Sequence, residues 1–117
     1  MNTQSLAIIE KYEGFLNYIY PILIGTPRCH YVVRDMVLRD VLEQPRLFIE
    51  AAKSNQISKI YAADAGLATL RAHLRFLAHP GRKIITTRQH EVAAVHLAEV
   101  GKMLGAWMHG RNCAKGG

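Results

Sequence analysis

Ile60-Tyr-Ala-Ala-Asp-Ala-Gly-Leu-Ala-Thr-Leu-Arg-Ala-His-Leu-Arg-Phe-Leu77 is the stretch of this chain whose reading decides the fold. Ile60, Ala63, Leu67, Leu70, Leu74 and Leu77 recur at alternating steps of three and four. That spacing puts all six on one stripe of an α-helix, the seam used in shallow-angle helix bundles. Ala62, Ala63, Ala65 and Gly66 keep the first half of the helix thin. Gly66 costs about 1 kcal/mol relative to alanine in a helix interior, so close packing against a neighbour is expected there.

Moving outward, glycine and proline punctuate the rest. Gly25-Thr26-Pro27, Lys53-Ser54-Asn55 and His79-Pro80-Gly81 divide the chain into four pieces of similar length. Sustained alternation of the kind a strand needs is missing. A first helix is expected from Thr3 to Ile24. It carries two apolar stripes, one through Leu6, Ile9, Leu16, Tyr20 and Leu23 and one through Ile8, Tyr12, Phe15, Ile19 and Ile22. Two stripes predict burial over more than half its girth. A second helix is expected from Arg28 to Ala52, with Val37, Val41, Phe48 and Ala52 inward. Pro45 lies inside it and lacks an N–H, so a kink near Val41–Gln44 or a complete break is expected. A fourth helix begins at Thr86 or Thr87. Thr86 and Gln89 have capping-box spacing, and Ala93, Leu97, Val100, Leu104 and Trp107 form its seam. Beside that seam runs a ridge of small residues, Ala94, Ala98, Gly101 and Gly105.

The predicted fold is all-α, an antiparallel up-down four-helix bundle over residues 1–110, with a flexible basic tail at 111–117. At 117 residues the chain suits one domain. Helix one, the thin half of helix three and the small ridge of helix four leave apolar surface beyond the bundle's own core. Such surface predicts a symmetric homo-oligomer.

Composition narrows the function classes. Lys+Arg number 15 against 9 Asp+Glu, a formal net charge of +6. The excess is regional: residues 1–50 are near neutrality, and most of the bases lie beyond residue 51. There Lys53, Lys59, Arg71, Arg75, Arg82, Lys83 and Arg88 face only Asp64 before Glu91. A regional excess suits an anionic partner such as nucleic acid; a solvated face is the bland alternative. Asp64, Ala68, Arg71 and Arg75 share one helix face. Arg71 and Arg75 stand one turn apart, where like charges repel. Phosphate would relieve the repulsion, as would pairing with Glu43, Glu50 or Glu99, and both readings stay open. Asp64 is read as orienting neighbouring side chains. Tyr61 and Trp107 could stack on bases, although core packing is the expected role of each.

No catalytic residue, cofactor or metal is expected. The six histidines and two cysteines, Cys29 and Cys113, fall into no metal-ligand spacing. No phosphate-binding glycine loop or nucleophile elbow occurs, and with Asp64 as its one acid the basic region lacks a catalytic carboxylate pair. Neither a leader nor a membrane span is evident, so a cytoplasmic, non-enzymatic protein is expected.

Several runs carry a resemblance. Lys53-Ser-Asn-Gln-Ile-Ser-Lys-Ile-Tyr-Ala-Ala-Asp-Ala-Gly-Leu-Ala-Thr-Leu-Arg-Ala-His-Leu-Arg-Phe-Leu-Ala78 resembles the accessory variability determinant proteins of diversity-generating retroelements. So do Glu99-Val-Gly-Lys-Met-Leu-Gly-Ala-Trp107 and, more loosely, Tyr18-Ile-Tyr-Pro21 and Leu47-Phe-Ile49. The similarity spans most of residues 10–109. It implies four-helix bundles assembled into a barrel-shaped homopentamer with a basic surface. It further implies binding to RNA or DNA and association with the element's reverse transcriptase, which copies template RNA with errors. By position, Arg71 and Arg75 are the leading nucleic-acid contacts, with Lys53 and Lys59 next. Pro45 and the His79-Pro-Gly-Arg-Lys83 link depart from the family pattern. The rival readings are a helical interaction scaffold without nucleic acid and a bundle of the rRNA-intervening-sequence type.

Overall fold

The computed structural model describes residues 3–54 and 56–116, with side chains described to residue 110. Asn55 in the second break and Gly117 lie outside the described residues, as do the side chains of 111–116, Cys113 among them; the backbone of 111–116, expected as part of a flexible tail, continues α4. The elements are α1 (Thr3–Ile24), a single 3-10 turn (Arg28–His30), α2 (Tyr31–Ser54), α3 (Ile57–Ala78) and α4 (Thr87–Gly116). No strand occurs among the described residues. The molecule is a rod of 52 × 20 × 20 Å. Each helix touches two others: α1 packs on α2 and α4, and α3 packs on α2 and α4. Neighbours run antiparallel. Asp40 and Gln44 of α2 meet His73 and Ala63 of α3 in reversed order.

The α3 seam is buried at all six expected positions, and so is the α4 seam, including Trp107. Thr86 and Gln89 close the expected capping box: the Gln89 N–H donates to Thr86 Oγ1, and the Thr86 N–H donates to Gln89 Oε1, both at 3.0 Å. Two of the four orphan donors at this helix start are thereby involved. Tyr61 departs from expectation. It is exposed and takes no part in the core.

Of the two α1 stripes, the core takes Ile8, Tyr12, Phe15 and Ile19, with Leu23 from the other stripe. Leu6 and Tyr20 stay exposed, which leaves apolar surface on α1. Tyr12 explains the choice. Its ring packs on Phe15 and, edge-on at 71°, on Phe48 of α2. Its hydroxyl donates to the Val41 carbonyl. In a regular helix that carbonyl would accept from residue 45, but residue 45 is proline and has no N–H. Tyr12 fills the vacancy that Pro45 creates. The helix continues unbroken from Tyr31 to Ser54, and the break envisaged at Pro45 does not occur. Burial, with a smaller contribution from Asp40, pushes the Tyr12 phenol far above its ordinary value.

The thin half of α3 is used within the bundle. A Cβ at Gly66 would lie 2.7 Å from Leu47 Cδ1 and closer still to Gln44 Oε1. Gln44 is itself buried and donates from Nε2 to the Ala63 carbonyl at 2.8 Å. Close approach of α2 and α3 therefore accounts for the glycine, and that half of α3 is not left over. The most exposed of the large apolar side chains are Val32 (75%) and Met36 (60%) on α2 and Val95 (64%) on α4.

Candidate nucleic-acid interface

The up-down path decides where the seven basic candidates end up. Connections α1–α2 and α3–α4 lie at one end of the rod, and the α2–α3 connection lies at the other. Lys53 and Lys59 flank the α2–α3 connection, both exposed. Arg75, Arg82, Lys83 and Arg88 gather around the α3–α4 connection, also exposed. Sixteen residues of helix separate Lys59 from Arg75, about 24 Å along the axis. The seven candidates therefore form two groups on opposite ends, with Arg71 between them and nearer the second.

None of the seven enters an ion pair among the described residues. Glu43 and Glu50, weighed as partners for Arg71 and Arg75, are both engaged by Arg46. Asp64 stands exposed on α3 with no ion pair to Arg71. Instead Arg71 reaches across to α4 and donates from Nη2 to the Leu97 carbonyl at 3.1 Å. That carbonyl is the normal partner of the Gly101 N–H one turn on. A Cβ at Gly101 would collide with the Arg71 guanidinium. The small residue at 101 thus opens the α4 backbone to the arginine, whose other donors make no side-chain hydrogen bond or ion pair among the described residues.

The α3–α4 connection is a built turn. The N–H groups of Arg82 and Lys83 both donate to the His79 carbonyl, at 2.9 and 2.8 Å. Lys83 adopts φ 48°, the left-handed region usual for glycine. Gly81 N–H donates to His79 Nδ1 at 3.0 Å. Arg82 folds back over the end of α3: Nε donates to the Phe76 carbonyl at 3.0 Å, and the guanidinium sits 3.7 Å from the centre of the Phe76 ring. A cation at a helix C-terminus also complements the helix dipole.

Phe76, His79 and Arg82 line an open recess of about 510 Å³, together with Arg75, Pro80 and His90 among others. No carboxylate lines it. A second cleft of about 240 Å³ shares Arg75 and His90 and extends to Arg71, Leu74, Ala94 and Leu97. Arg71, Arg75 and Arg82 therefore stand along one continuous basic track. Lys83 and Arg88 line neither depression; Arg88 lies beside Glu91, Val95 and His96 on the next face of α4. The sequence reading missed His79 and His90, because it weighed the histidines only as metal ligands. Their signal was position: His79 opens the basic His79–Lys83 link, and His90 lies in the first turn of the helix that follows it. Among the described residues, no three His, Cys, Asp or Glu side chains gather into a metal site. No described helix is long and apolar enough to cross a membrane.

The sequence model of a family described as bAvd-like matches residues 6–110, a span that contains all seven basic candidates. No curated protein matches the chain significantly.

Proposed function

We propose, from the premise that the chain belongs to the bAvd-like family, the accessory variability determinants of diversity-generating retroelements, that it is the non-enzymatic, nucleic-acid-binding subunit of a mutagenic reverse-transcription complex. In this role it assembles as a homopentamer, engages the element's reverse transcriptase and helps hold template RNA during copying. The observation that carries the nucleic-acid part is the track of Arg71, Arg75 and Arg82. These are arginines without carboxylate partners among the described residues, beside a recess without carboxylates. Exposed guanidinium groups in a row suit successive phosphates, which they bind through paired N–H donors. Exposed Leu6, Tyr20, Val32 and Met36 support contact with further protein surface, from other copies or from the polymerase.

Co-purification is the test. The chain, expressed with its cognate reverse transcriptase and template RNA, should retain both through a column at low salt. Light scattering of the isolated protein should give about five times 13.1 kDa. Retention of the polymerase with no RNA at any salt would favour the scaffold reading. A monomer at micromolar concentration would remove the pentamer.

A further inference from the structure

The recess at the α3–α4 turn has the size and the lining of a site for one nucleotide. Its volume of about 510 Å³, open to solvent on one side, leaves room for a nucleotide to lie against the wall. Its polar lining offers donors suited to an anion. Arg75 extends from α3 and enters no side-chain hydrogen bond or ion pair among the described residues. His79 accepts the Gly81 N–H at Nδ1, so its neutral ring carries the proton on Nε2. The turn thus fixes a donor on His79 that needs no ionisation.

The apolar side of the recess is equally specific. Two contacts fix the Arg82 guanidinium, the Phe76 carbonyl at Nε and the Phe76 ring beneath. Phe76 is 44% exposed. Together they form a flat plate at the recess wall. Nucleobases stack on aromatic rings and on guanidinium planes. A carboxylate-rich peptide would find the cations but would have no use for the plate.

We infer that this recess, lined by Arg75, Phe76, His79 and Arg82, holds one nucleotide of single-stranded nucleic acid, with the phosphate on Arg75 and His79 and the base on the Arg82–Phe76 plate. The inference rests on the nucleic-acid reading above and deepens it. Backbone charge alone would bind any polyanion. The plate makes binding depend on bases.

The test compares two ligands of equal charge on the full chain in its native assembly: a labelled single-stranded RNA and an abasic phosphodiester of the same length. Fluorescence anisotropy at fixed salt gives the ratio of their affinities. The native chain should prefer the base-bearing strand by about tenfold or more. Arg82→Lys keeps the charge and removes the plane, and Phe76→Leu removes the ring. Each should bring the ratio towards one. Partial unfolding lowers both affinities and leaves the ratio alone, so the ratio reports the plate and not stability. With strands long enough to reach both ends of the rod, Lys53→Ala with Lys59→Ala should weaken both ligands and preserve the ratio. A ratio near one for the native chain, or a ratio unmoved by both plate variants, overturns the nucleotide site and leaves backbone binding standing. Competition by polyglutamate as strong as by RNA of equal charge identifies an acidic protein as the occupant and overturns it too. A native chain that binds neither ligand at low salt fails the function proposed above and this site with it.

Discussion

Tyr12→Phe removes one oxygen and should cost more than an ordinary surface hydrogen bond. The hydroxyl donates to Val41 O, on a residue with no exposed surface. Pro45 cannot supply the N–H that would otherwise satisfy that carbonyl. The phenylalanine variant therefore leaves a buried acceptor without a partner, a loss of about 1–3 kcal/mol. For a chain of this length 1 kcal/mol corresponds to about 4 °C in Tm, so the drop should be about 4–12 °C. The mechanism requires coupling to residue 45. In a Pro45→Ala background, the backbone N–H restored at position 45 takes the Val41 carbonyl. Tyr12→Phe should then cost less than about 1 kcal/mol, because the acceptor no longer depends on the phenol. The assay is circular dichroism melting of all four proteins at one protein concentration, since assembly makes Tm concentration-dependent. The double-mutant cycle should show coupling of about 1–2 kcal/mol. Equal costs of Tyr12→Phe in the two backgrounds would refute the claim that Tyr12 replaces the hydrogen bond Pro45 lacks.

Two glycines should respond to alanine with opposite sign. Gly66→Ala gains about 1 kcal/mol of helix propensity but drives a methyl into Gln44 and Leu47, and overpacking of about 1–3 kcal/mol should leave it destabilised in a melt. Gly105→Ala meets nothing within 4 Å, and its Tm should rise. Stability should hold up to about pH 9 and fall above about pH 10. The raised Tyr12 value means the folded chain keeps a proton that the unfolded chain releases, and Tyr12→Phe should flatten that limb in a pH series of melts. RNA affinity should fall steeply with salt. Arg71→Glu with Arg75→Glu should abolish it in a filter-binding titration while light scattering still finds the oligomer, and each single alanine variant should reduce the salt slope by roughly one unit. Loss of the oligomer before loss of binding per particle would make these arginines structural.

The α3 seam was legible because six apolar residues at steps of three and four admit one helical face and no other. The α4 start was legible for a similar reason: Thr86 and Gln89 are local partners, and their hydrogen bonds involve no other element. The α1 face was not. Both stripes are equally apolar, and periodicity cannot rank them. The ranking comes from Phe48 and Val41 on α2, far along the chain, where a ring and an orphaned carbonyl meet Tyr12. Pro45 shows the same limit. Its effect on the backbone is local, but what keeps the helix whole is the side chain of another helix.

The basic site divides along the same line. That Arg71 and Arg75 share a face follows from helical spacing alone. That Arg71 leans on Leu97 follows from Gly101, on a different helix, which exposes the α4 backbone at that level. The split of the seven candidates between the two ends follows from connectivity. In an up-down bundle the first and third connections must share an end, so residues near the second cannot join those near the third. This geometry favours a strand entering at the α3–α4 turn and running along α3 towards Arg71, with Lys53 and Lys59 left for a different stretch of nucleic acid or for an adjoining copy. A single short strand cannot bridge both groups, because about 24 Å of helix separates Lys59 from Arg75 and a nucleotide of extended backbone spans only a fraction of it. Lys53→Ala with Lys59→Ala should therefore weaken long RNA more than a strand of a few nucleotides, whereas Arg75→Ala should weaken both alike.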